Sequence, residues 1–545
     1  MTDMTIRGDL VDDYQEFFAP ASSDMIDGLI GQYQSERRII SEVAEYLSGD
    51  NFKLALNYFV DGSRDNSRGV SVPKFDADTG IKALNSSFWD RALRMTDVID
   101  CMPQKRRDEW NDQIREFNTP DFEDEAVRAT IGDLMAMRSK FFAERVDGIF
   151  RALSRSHVTN RPEGFGKRMI ISRAITSYDT VDHSTAGYIN DLRAIIAKFM
   201  GRDEPYYSAT QAVISAARRS NGQWMLVDGG SLRIRIYNGV GTAHIEVHPE
   251  MAWRLNSVLA SIYPAAIPSQ HREKPKKQKK IKDFTLFDRP LPFFIINILS
   301  SLQPVKVFEG EGQQRSRRIL TNTLTYTNIG YQEIDKATRR EIERVMLAIG
   351  GTPAIGSKNP HWVFSYDPQT TMEAIICNGS IPDHRSHQFY PTPDRIAQDV
   401  AELAGIEAHH RCLEPSAGIG NLADAMGEQG CQSITCVEIS DLHIKVLDGK
   451  GYYAQQADFL KWRDGLYDRI CMNPPFSEGR WQAHLEHAAS MLVDGGRLVA
   501  VLPASAKGKQ VLDGLNLVWH KTYKGEFSGT SVEVVILVAD KECVV

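Results

Sequence analysis

The stretch that decides the fold is RCLEPSAGIGNLADAM, which runs from Arg411 to Met426. Its first residues are typical of a short buried strand, and its last residues have the apolar spacing of a helix. Between them, Gly418 and Gly420 allow a tight turn, and their missing Cβ atoms let a ligand approach the backbone. With Ala423 the stretch fits G-x-G-x-x-A, a loose dinucleotide fingerprint that, taken alone, also fits a nicotinamide enzyme.

Predicted strands and helices alternate regularly along the chain around this stretch. From about Ile381 onward, short apolar segments alternate with helical ones. Strands are predicted in RCLEP, ITCVEI, YYAQQAD, DRICMN and RLVAVLP, and two more in LVWHKTYKGEFSGTSVEVVILVAD. This alternation predicts an α/β fold with a doubly wound, Rossmann-like sheet in residues 381–545.

Carboxylates follow two of the predicted strands. Glu438 ends the strand after the glycine turn, where an acid can accept two hydrogen bonds from a ribose diol. This position suits NAD as well, so it does not identify the cofactor. Asp458 ends the third strand, where it can accept from an adenine amine while Phe459 covers a ring face. A helix N-cap is the alternative role for Asp458.

The segment CMNPPF ends the fourth strand in an unusual way. Pro474 and Pro475 remove two N–H donors and fix φ at both positions, and Asn473 before them is pushed toward an extended conformation. The chain must therefore leave the sheet at its carboxyl edge, where open α/β sheets bind ligands. The stiff turn presents two acceptors there, the Asn473 side-chain oxygen and the Pro474 carbonyl, and Phe476 supplies a flat ring.

Two fixed acceptors and an aromatic ring suit a planar amine as substrate. The lone pair of such a nitrogen is delocalised, so the amine is a poor nucleophile. Hydrogen bonds from both of its protons favour a pyramidal nitrogen and stabilise the positive charge that develops as it attacks. Preorganised groups at such a centre supply about 10²–10³ in rate each. Stacking of a base on Phe476 contributes about 1–3 kcal/mol.

Together these elements resemble the class I S-adenosylmethionine-dependent methyltransferases, specifically the amino-methyltransferases that act on adenine N6 in DNA. The matches are FYPTP at Phe389–Pro393, EPSAGIG at Glu414–Gly420, Glu438, ADF at Ala457–Phe459 and NPPF at Asn473–Phe476. Their order is similar to that of the gamma-type enzymes.

The resemblance implies a role for each matched residue. Glu414 and the glycine turn would hold the methionine moiety of S-adenosylmethionine, Glu438 its ribose and Asp458 its adenine. The implied catalytic residues are Asn473, Pro474, Pro475 and Phe476. The implied cofactor-binding residues are Phe389, Tyr390, Thr392, Glu414, Pro415, Ala417, Gly418, Gly420, Glu438, Ile439, Asp458 and Phe459. No metal is needed when the electrophile is a sulfonium methyl.

The chain ahead of residue 381 divides into three predicted parts. Residues 1–268 are expected to form a mostly helical α+β domain, with DNA binding or target recognition as its role. Residues 269–283, with seven basic side chains, predict an exposed linker, and residues 284–380 predict a small α/β module.

Two segments of the first part, HVTNRPEGFGKRMII and HPEMAWRLNSVL, resemble a domain found ahead of such methyltransferases in phage and plasmid proteins. That setting implies protection of DNA from nucleases, as in restriction-modification or anti-restriction. Gamma enzymes usually carry a target-recognition domain after the catalytic one, whereas only 69 residues follow Phe476 here. Target recognition is therefore expected upstream, or sequence preference is low.

Composition and charge limit the alternatives. The chain has 545 residues, 42% hydrophobic and 25% charged, so two to four domains of a globular protein are expected. The net charge of −7 arises in residues 381–545, which hold 15 Lys and Arg against 22 Asp and Glu. Contacts to a phosphate backbone must therefore be local or come from upstream.

Cysteine usage and hydropathy predict a cytoplasmic protein with neither a disulfide framework nor a membrane partner. The seven cysteines are scattered, the N-terminal segment is polar, and the most apolar run is too short to span a bilayer. No Cys/His cluster has zinc spacing. His244, Glu246 and His248 share a strand face and hint at a metal site, but a polar sheet face is the favoured interpretation.

We therefore expect a multidomain DNA adenine methyltransferase whose target base is flipped out of the duplex. Alternatives among enzymes are methylation of guanine N2 in RNA or of glutamine in protein, and the FYPTP element favours DNA. A catalytically silent nucleic-acid-binding protein is a further alternative, against which intact Asn473 and Phe476 argue. A nicotinamide oxidoreductase is disfavoured, because no placed His or Tyr supplies a hydride-transfer acid.

Overall fold

The chain forms two compact units in the computed structural model. The first comprises Met1–Leu226 and Gly230–Asp288, and the second comprises Val227–Gly229 and Arg289–Val545. The structure describes residues 23–49, 76–96, 98–274, 290–309, 316–326, 334–354, 361–381, 389–476, 479–527 and 532–543, and the isolated positions 52, 55 and 58. Of the predicted linker 269–283, Ser269–Arg272 forms a short helix, and residues 275–283 lie outside the described residues.

The first unit is mostly helical. Two of its helices begin with an aspartate cap: the Asp76 side chain accepts from Thr79 N at 3.0 Å, and the Asp182 side chain accepts from Thr185 N at 2.8 Å. Each cap satisfies an N–H group that has no partner inside the helix. The helices described are Ser23–Ser48, Ala77–Met95, Val98–Cys101, Gln104–Arg115, Asp124–Ala136, Arg138–Ala152, His183–Phe199, Tyr207–Arg219, Pro249–Ile262 and Ser269–Arg272.

A four-stranded sheet accompanies these helices, in the order β1-β4-β3-β2. Its strands are β1 (Arg168–Ile171), β2 (Met225–Val227), β3 (Leu232–Tyr237) and β4 (Thr242–Val247). The predicted pair of strands around a Gly-rich turn is confirmed, because β3 pairs with β4 in antiparallel register. Along β3, buried Leu and Ile residues alternate with the half-buried Arg233, Arg235 and Tyr237.

The second unit begins with a small sheet in the order β5-β6-β8-β7, all of whose printed pairings are antiparallel. The strands are β5 (Gln303–Glu309), β6 (Ser316–Thr325), β7 (Thr352–Pro353) and β8 (His361–Val363). The accompanying helices are Phe293–Ser301, Lys336–Ala348 and Gln369–Asn378. The predicted run of helix, turn, strand and helix is therefore confirmed, in a compact unit that also contains the larger sheet.

The larger sheet has seven strands in the order β11-β10-β9-β12-β13-β15-β14. They are β9 (Arg411–Pro415), β10 (Ser433–Glu438), β11 (Tyr453–Gln456), β12 (Tyr467–Met472), β13 (Leu492–Pro503), β14 (Asn516–Tyr523) and β15 (Val534–Asp540). Five strands are parallel, and β15 pairs antiparallel with both β13 and β14. The Rossmann-like sheet predicted for residues 381–545 is confirmed.

Both faces of this sheet are buried. Along β12, Ile470 and Met472 belong to the core on one face, and Cys471 belongs to the core on the other. β13 and β15 alternate in the same way, which is why their sequences are continuous apolar runs. The covering helices are Asp394–Ala404, Asn421–Glu428, Asp441–Lys450 and Arg480–Ala489, and short 3₁₀ turns lie at Phe459–Lys461 and Ala504–Ala506.

The strand order places a ligand site at a defined edge. Sequence order reverses between β9, which continues toward β10 and β11, and its other neighbour β12. Open α/β sheets bind ligands at the carboxyl ends of the strands beside such a reversal. Pro415, Glu438 and Met472 end β9, β10 and β12 at this edge.

Within the described ranges, no helix combines the length and the apolar character needed to cross a bilayer.

Candidate active site

A cavity of about 740 Å³ lies at the carboxyl ends of β9, β10 and β12. This volume falls in the range of small-molecule sites, about 300–1,000 Å³. Among the predicted site residues, the cavity is lined by Phe389, Tyr390, Thr392, Glu414, Ala417, Gly418, Glu438, Ile439, Asp458, Phe459, Asn473, Pro474, Pro475 and Phe476. Pro415 and Gly420 do not line it.

The glycine turn between β9 and its helix is left-handed at both glycines. Gly418 has φ +56° and Gly420 has φ +81°, a region that costs other residues about 1–2 kcal/mol. A Cβ on Gly418 would lie 2.9 Å from Phe389 Cε2, and one on Gly420 would lie 2.7 Å from Leu447 Cδ2. Sequence reasoning assigned both glycines to ligand approach, whereas the structure places Gly420 against Leu447.

Glu438 is held rigidly beside this turn. It is 7% exposed, and its two carboxylate oxygens accept from Gly418 N and Ser440 N, both at 2.8 Å. Burial raises the pKa of Glu438, and the backbone hydrogen bonds oppose the rise. Each oxygen keeps capacity for a second donor, as a diol would require. The neighbouring Ile439 is 61% exposed, which gives the rim of the cavity an apolar surface.

Glu414 is the more deeply buried acid, with 3% exposure. Its Oε2 accepts from Ala423 N at 2.7 Å, in the first turn of the helix Asn421–Glu428. Burial raises the pKa of Glu414 to about 8, so the carboxyl is largely neutral near pH 7. A cation in the cavity would favour its ionised form, and Glu414 therefore fits the ammonium group of a methionine moiety.

Asp458 serves as a cap and also lines the cavity. Its Oδ1 accepts from Leu460 N at 3.2 Å, at the start of the turn Phe459–Lys461. Its Oδ2 lies 2.7 Å from Lys461 Nζ, a hydrogen bond that lowers the pKa of Asp458. The alternative cap role is thus present beside the predicted one. Phe459 is 3% exposed and belongs to the core on one face of the sheet.

The Asn473 side chain is fixed from one side. Its Nδ2 donates to Tyr390 O at 3.3 Å and to Thr392 Oγ1 at 3.1 Å. Asn421 Nδ2 donates to Thr392 O at 2.6 Å, so the segment is also tied to the glycine turn. The Asn473 nitrogen is thus committed to this segment, and Oδ1 is the acceptor atom of the amide.

The residues after Asn473 in this corner pack against the protein and also face the cavity. Pro474 is buried, whereas Pro475 and Phe476 are half-buried, and all three line the cavity. Phe476 and Tyr390 pack against the same core cluster. The corner is therefore anchored to the sheet while one surface faces the cavity. Residues 477–478, which follow it, lie outside the described residues.

The cavity residues that sequence reasoning missed include Ser416, Asn421 and His484. Ser416 has φ +60°, uncommon for a non-glycine residue, and its Oγ lies 3.3 Å from His484 Nδ1. Burial lowers the pKa of His484 to about 4, so its imidazole is neutral near pH 7. Ser416 and His484 are 68 positions apart, and only the position of Asn421 directly after Gly420 offered a signal.

The three side chains that hinted at a metal site, those of His244, Glu246 and His248, form no ligand cluster among the described residues. Glu246 pairs with Arg168 and Arg233, and His248 caps the helix Pro249–Ile262. Among the described residues, one other group has suitable ligand atoms within 4.8 Å of one another, Glu407, His409 and His410. It lies outside the cavity, and His410 Nδ1 already accepts from Glu407 N at 2.9 Å.

Comparison with known families matched one part of the chain. The sequence model of a family described as "Domain of unknown function (DUF4942)" matches residues 81–265. A search of curated proteins found no match to this chain.

Solved structures match about a quarter of the chain at low identity. TrmN from Thermus thermophilus is 21% identical with a TM-score of 0.24, over 27% of this chain and 48% of that one. Ribosomal protein L11 methylase from Lactobacillus delbrueckii subsp. bulgaricus is 18% identical with a TM-score of 0.23, over 27% and 78%. Magnesium protoporphyrin IX methyltransferase from Synechocystis PCC 6803, solved with bound SAM, is 16% identical with a TM-score of 0.23, over 27% and 79%. The chain thus spans about half the length of TrmN.

Proposed function

We propose that this chain transfers a methyl group from S-adenosylmethionine to the N6 amine of adenine in DNA. One observation carries the proposal: the Asn473–Phe476 corner lines a cavity, and the Asn473 amide is held there by its nitrogen, which donates to Tyr390 O and Thr392 Oγ1. Such a corner suits a planar amine, as its sequence predicts.

The residues around the cavity fit the proposed cofactor. Glu438 is positioned to accept from a ribose diol, and the apolar side chain of Ile439 is positioned to cover a ring. The raised pKa of Glu414 marks a buried carboxyl without enough positive charge around it, which an ammonium group would supply. When bound, S-adenosylmethionine would supply an electrophilic methyl group carried on a sulfonium.

The corner itself would activate the amine. Asn473 Oδ1 and the Pro474 carbonyl would accept the two amine hydrogens and so favour the pyramidal nitrogen that attack requires. A nitrogen–carbon bond then forms as the carbon–sulfur bond breaks, and the electron pair of the broken bond goes to sulfur. The extra proton on the methylated nitrogen passes to water. Because the acceptors are fixed before the charge develops, no reorganisation is needed during the step.

The cavity also offers apolar surface to a base. Phe476 is half-buried at the corner, and Phe527, Val532 and Val534 complete an apolar part of the lining. A base that leaves the duplex exchanges its stacked neighbours for such a surface. Stacking on an aromatic side chain contributes about 1–3 kcal/mol, which offsets part of the cost of unstacking.

The proposal is tested by expressing the protein in a bacterium that lacks adenine methylation. Single-molecule sequencing of the genome then reads modified adenines. We expect modified sites with the unaltered protein and none with Asn473→Ala. Their absence with an unaltered protein that binds S-adenosylmethionine would reject DNA adenine as the substrate. Labelled methyl groups recovered in RNA or in protein glutamine would then identify the alternative amine.

A further inference from the structure

One face of the sheet in the first unit carries an unusual set of side chains. The strand register places Arg168, Glu246 and Arg233 in one row, and His244 beside Arg235 in the next. Because side chains alternate along a strand, these five share the face opposite the buried Ile and Leu residues of β3. The four cationic and imidazole side chains are half-buried, so this face is not enclosed by the core of its unit.

An indole gathers the arginines of this face. The guanidinium carbons of Arg235, Arg233 and Arg168 lie 4.4, 4.7 and 5.5 Å from the ring centroid of Trp224. Arg235 also lies 5.0 Å from the ring of Tyr237. Cation–π contacts hold the positive groups in place without neutralising them.

The positive charge is only partly compensated. Glu246 is 2% exposed and lies 2.7 Å from Arg168 and 2.6 Å from Arg233. In contrast, the Nε atom of Arg235 and the Nδ1 atom of His244 are buried and have no hydrogen-bond partner among the residues that the structure describes. Burial, together with the charges of Arg235 and Arg168, lowers the pKa of His244. Two polar atoms on this face therefore lack the acceptor or donor that burial normally demands.

A loop extends the positive surface beyond the strands. This loop is the segment HVTNRPEGFG that the sequence singled out. Asn160 ties it to β1, because its side chain donates to Ile170 O at 2.8 Å and accepts from Ile170 N at 3.0 Å. Gly164 anchors its other end at φ +132°, where a Cβ would lie 2.5 Å from Asn256 Oδ1. These residues explain the shape of the loop but not its cationic side chains.

A second cavity of about 650 Å³ is lined by part of this loop and by Arg155 and Ser156 just before it. Arg155 and Arg161 are exposed in its lining, with Glu163 as the acidic member. His157 also lines this cavity, and its ring lies 6.4 Å from the ring of His244. The cavity and the sheet face therefore adjoin.

We infer that this basic sheet face, defined as Arg155, His157, Arg161, Arg168, Trp224, Arg233, Arg235, Tyr237 and His244, binds the phosphate backbone of DNA. Its cations are spread over two strand rows and a loop, as the repeating charges of a polyanion require. The planar guanidinium group of arginine can donate two parallel hydrogen bonds to a phosphate. The half-buried rings of Trp224 and Tyr237 lie beside these guanidinium groups. The choice of DNA as the polyanion rests on the proposed function.

The test measures binding of the full chain to a fluorescein-labelled DNA duplex by anisotropy, with S-adenosylhomocysteine present to prevent turnover. One variant combines Arg155→Gln with Arg161→Gln, which are exposed and leave the core intact. A second variant is Arg235→Gln, whose Nε atom loses no hydrogen bond. The matched control combines Arg38→Gln with Arg115→Gln, two side chains of the same unit that are 73% and 72% exposed.

We expect each face variant to weaken binding about tenfold and to reduce the salt dependence by about one unit of slope per lost phosphate contact. The control should bind as the unaltered chain does. Equal binding by the face variants and the control would overturn the inference, as would no binding of DNA or tighter binding of RNA of the same length. If the face variants lose binding while no DNA is methylated, the proposed function fails and this inference stands.

Discussion

The proposed reaction gives Asn473 two tasks, which use different atoms of one amide. Its nitrogen donates to Tyr390 O and Thr392 Oγ1, and its oxygen is the acceptor proposed for the substrate amine. An aspartate at this position would keep acceptors but would lose the donor that fixes them. This division explains why an amide suits the corner better than an acid of the same shape.

Comparison of Asn473→Ala with Thr392→Val separates the acceptor task of the Asn473 oxygen from the donor task of its nitrogen. Asn473→Ala removes both, so methyl transfer should fall by at least about 10²–10³ while S-adenosylmethionine binding changes little. Thr392→Val removes only the acceptor at Thr392 Oγ1 and should retain most activity. A tritiated-methyl assay and calorimetric cofactor binding measure the two effects. Parallel loss of cofactor affinity in Asn473→Ala would indicate a general structural defect instead.

The proposed contact between Glu414 and the ammonium group of the cofactor predicts a pH dependence of cofactor binding. In the unliganded chain burial raises the pKa of this carboxyl to about 8. An ammonium group bound beside it favours the ionised form, so binding releases a proton below that pH. Affinity for S-adenosylmethionine should therefore rise with pH up to about 8 and then level off, by at most about tenfold per pH unit.

Calorimetry in buffers of different ionisation enthalpy measures this proton release. Glu414→Gln keeps an oxygen that can accept from Ala423 N but cannot ionise, so its affinity should be lower and independent of pH. The same pH profile in Glu414→Gln and the unaltered chain would show that another group titrates.

At the scale of elements, the glycine turn joins β9 to the helix that follows. Its two glycines share a backbone requirement but have different neighbours, since Gly418 meets Phe389 at the cavity and Gly420 meets Leu447. Lys450 Nζ donates to Ile419 O at 2.7 Å and further fixes the turn. Its conformation is thus determined by the segment around Phe389 and the helix Asp441–Lys450 as well as by its own sequence.

Gly420→Ala tests how much the packing against Leu447 adds to backbone strain. Gly430→Ala is its matched control, because φ there is +94° and no atom lies within 4 Å of the added Cβ. The left-handed conformation alone should cost about 1–2 kcal/mol in both variants. Gly420→Ala should be the more destabilised of the two in thermal unfolding. Equal losses would mean that Leu447 moves aside at no cost.

The sequence predicted the strands of the second unit well because two local sequence patterns mark them. Continuous apolar runs identify β13 and β15 as strands buried on two faces, and the paired prolines identify where β12 must leave the sheet. The contact between Asn421 and Thr392 was not predictable, because it joins two elements 29 positions apart.

For the whole molecule, buried ionisable groups set a dependence of stability on pH. The pKa of Glu414 is raised in the folded chain, so its contribution to stability is present below the ordinary value of 4.5 and is lost as pH rises through about 8. The pKa of His484 in the folded chain is about 4, so its contribution to stability is present above the ordinary value of 6.5 and is lost as pH falls toward 4. Below pH 6.5 a rise in pH lowers stability through Glu414 and raises it through His484. Above pH 6.5 only the loss of stability from Glu414 continues.

Stability of the cofactor-depleted protein should therefore fall between pH 6.5 and 8, by at most about 1.4 kcal/mol per pH unit from Glu414. Thermal unfolding at the two pH values measures the change as a lower melting temperature. Glu414→Gln should show a smaller decrease than the unaltered chain, and added S-adenosylmethionine should reduce the decrease in the unaltered chain. An identical decrease in Glu414→Gln would assign the effect to other groups.

The sequence conveyed less about the first unit than about the second. Its helices and the β3–β4 pair were predictable from apolar spacing and a Gly-rich turn. The basic sheet face was not, because Arg168, Trp224 and Arg235 meet only through strand register and a loop contact. Residues far apart in sequence come together there, and no local pattern records that they do.

The central claim is that the Asn473–Phe476 corner directs methyl transfer to adenine N6 in DNA. Its most direct test incubates the purified chain with S-adenosylmethionine carrying a deuterated methyl group and with unmethylated bacterial DNA. Mass spectrometry of the digested nucleosides should then find deuterated N6-methyldeoxyadenosine with the unaltered chain and none with Asn473→Ala. Cofactor binding by the unaltered chain with no deuterium in deoxyadenosine would contradict the claim.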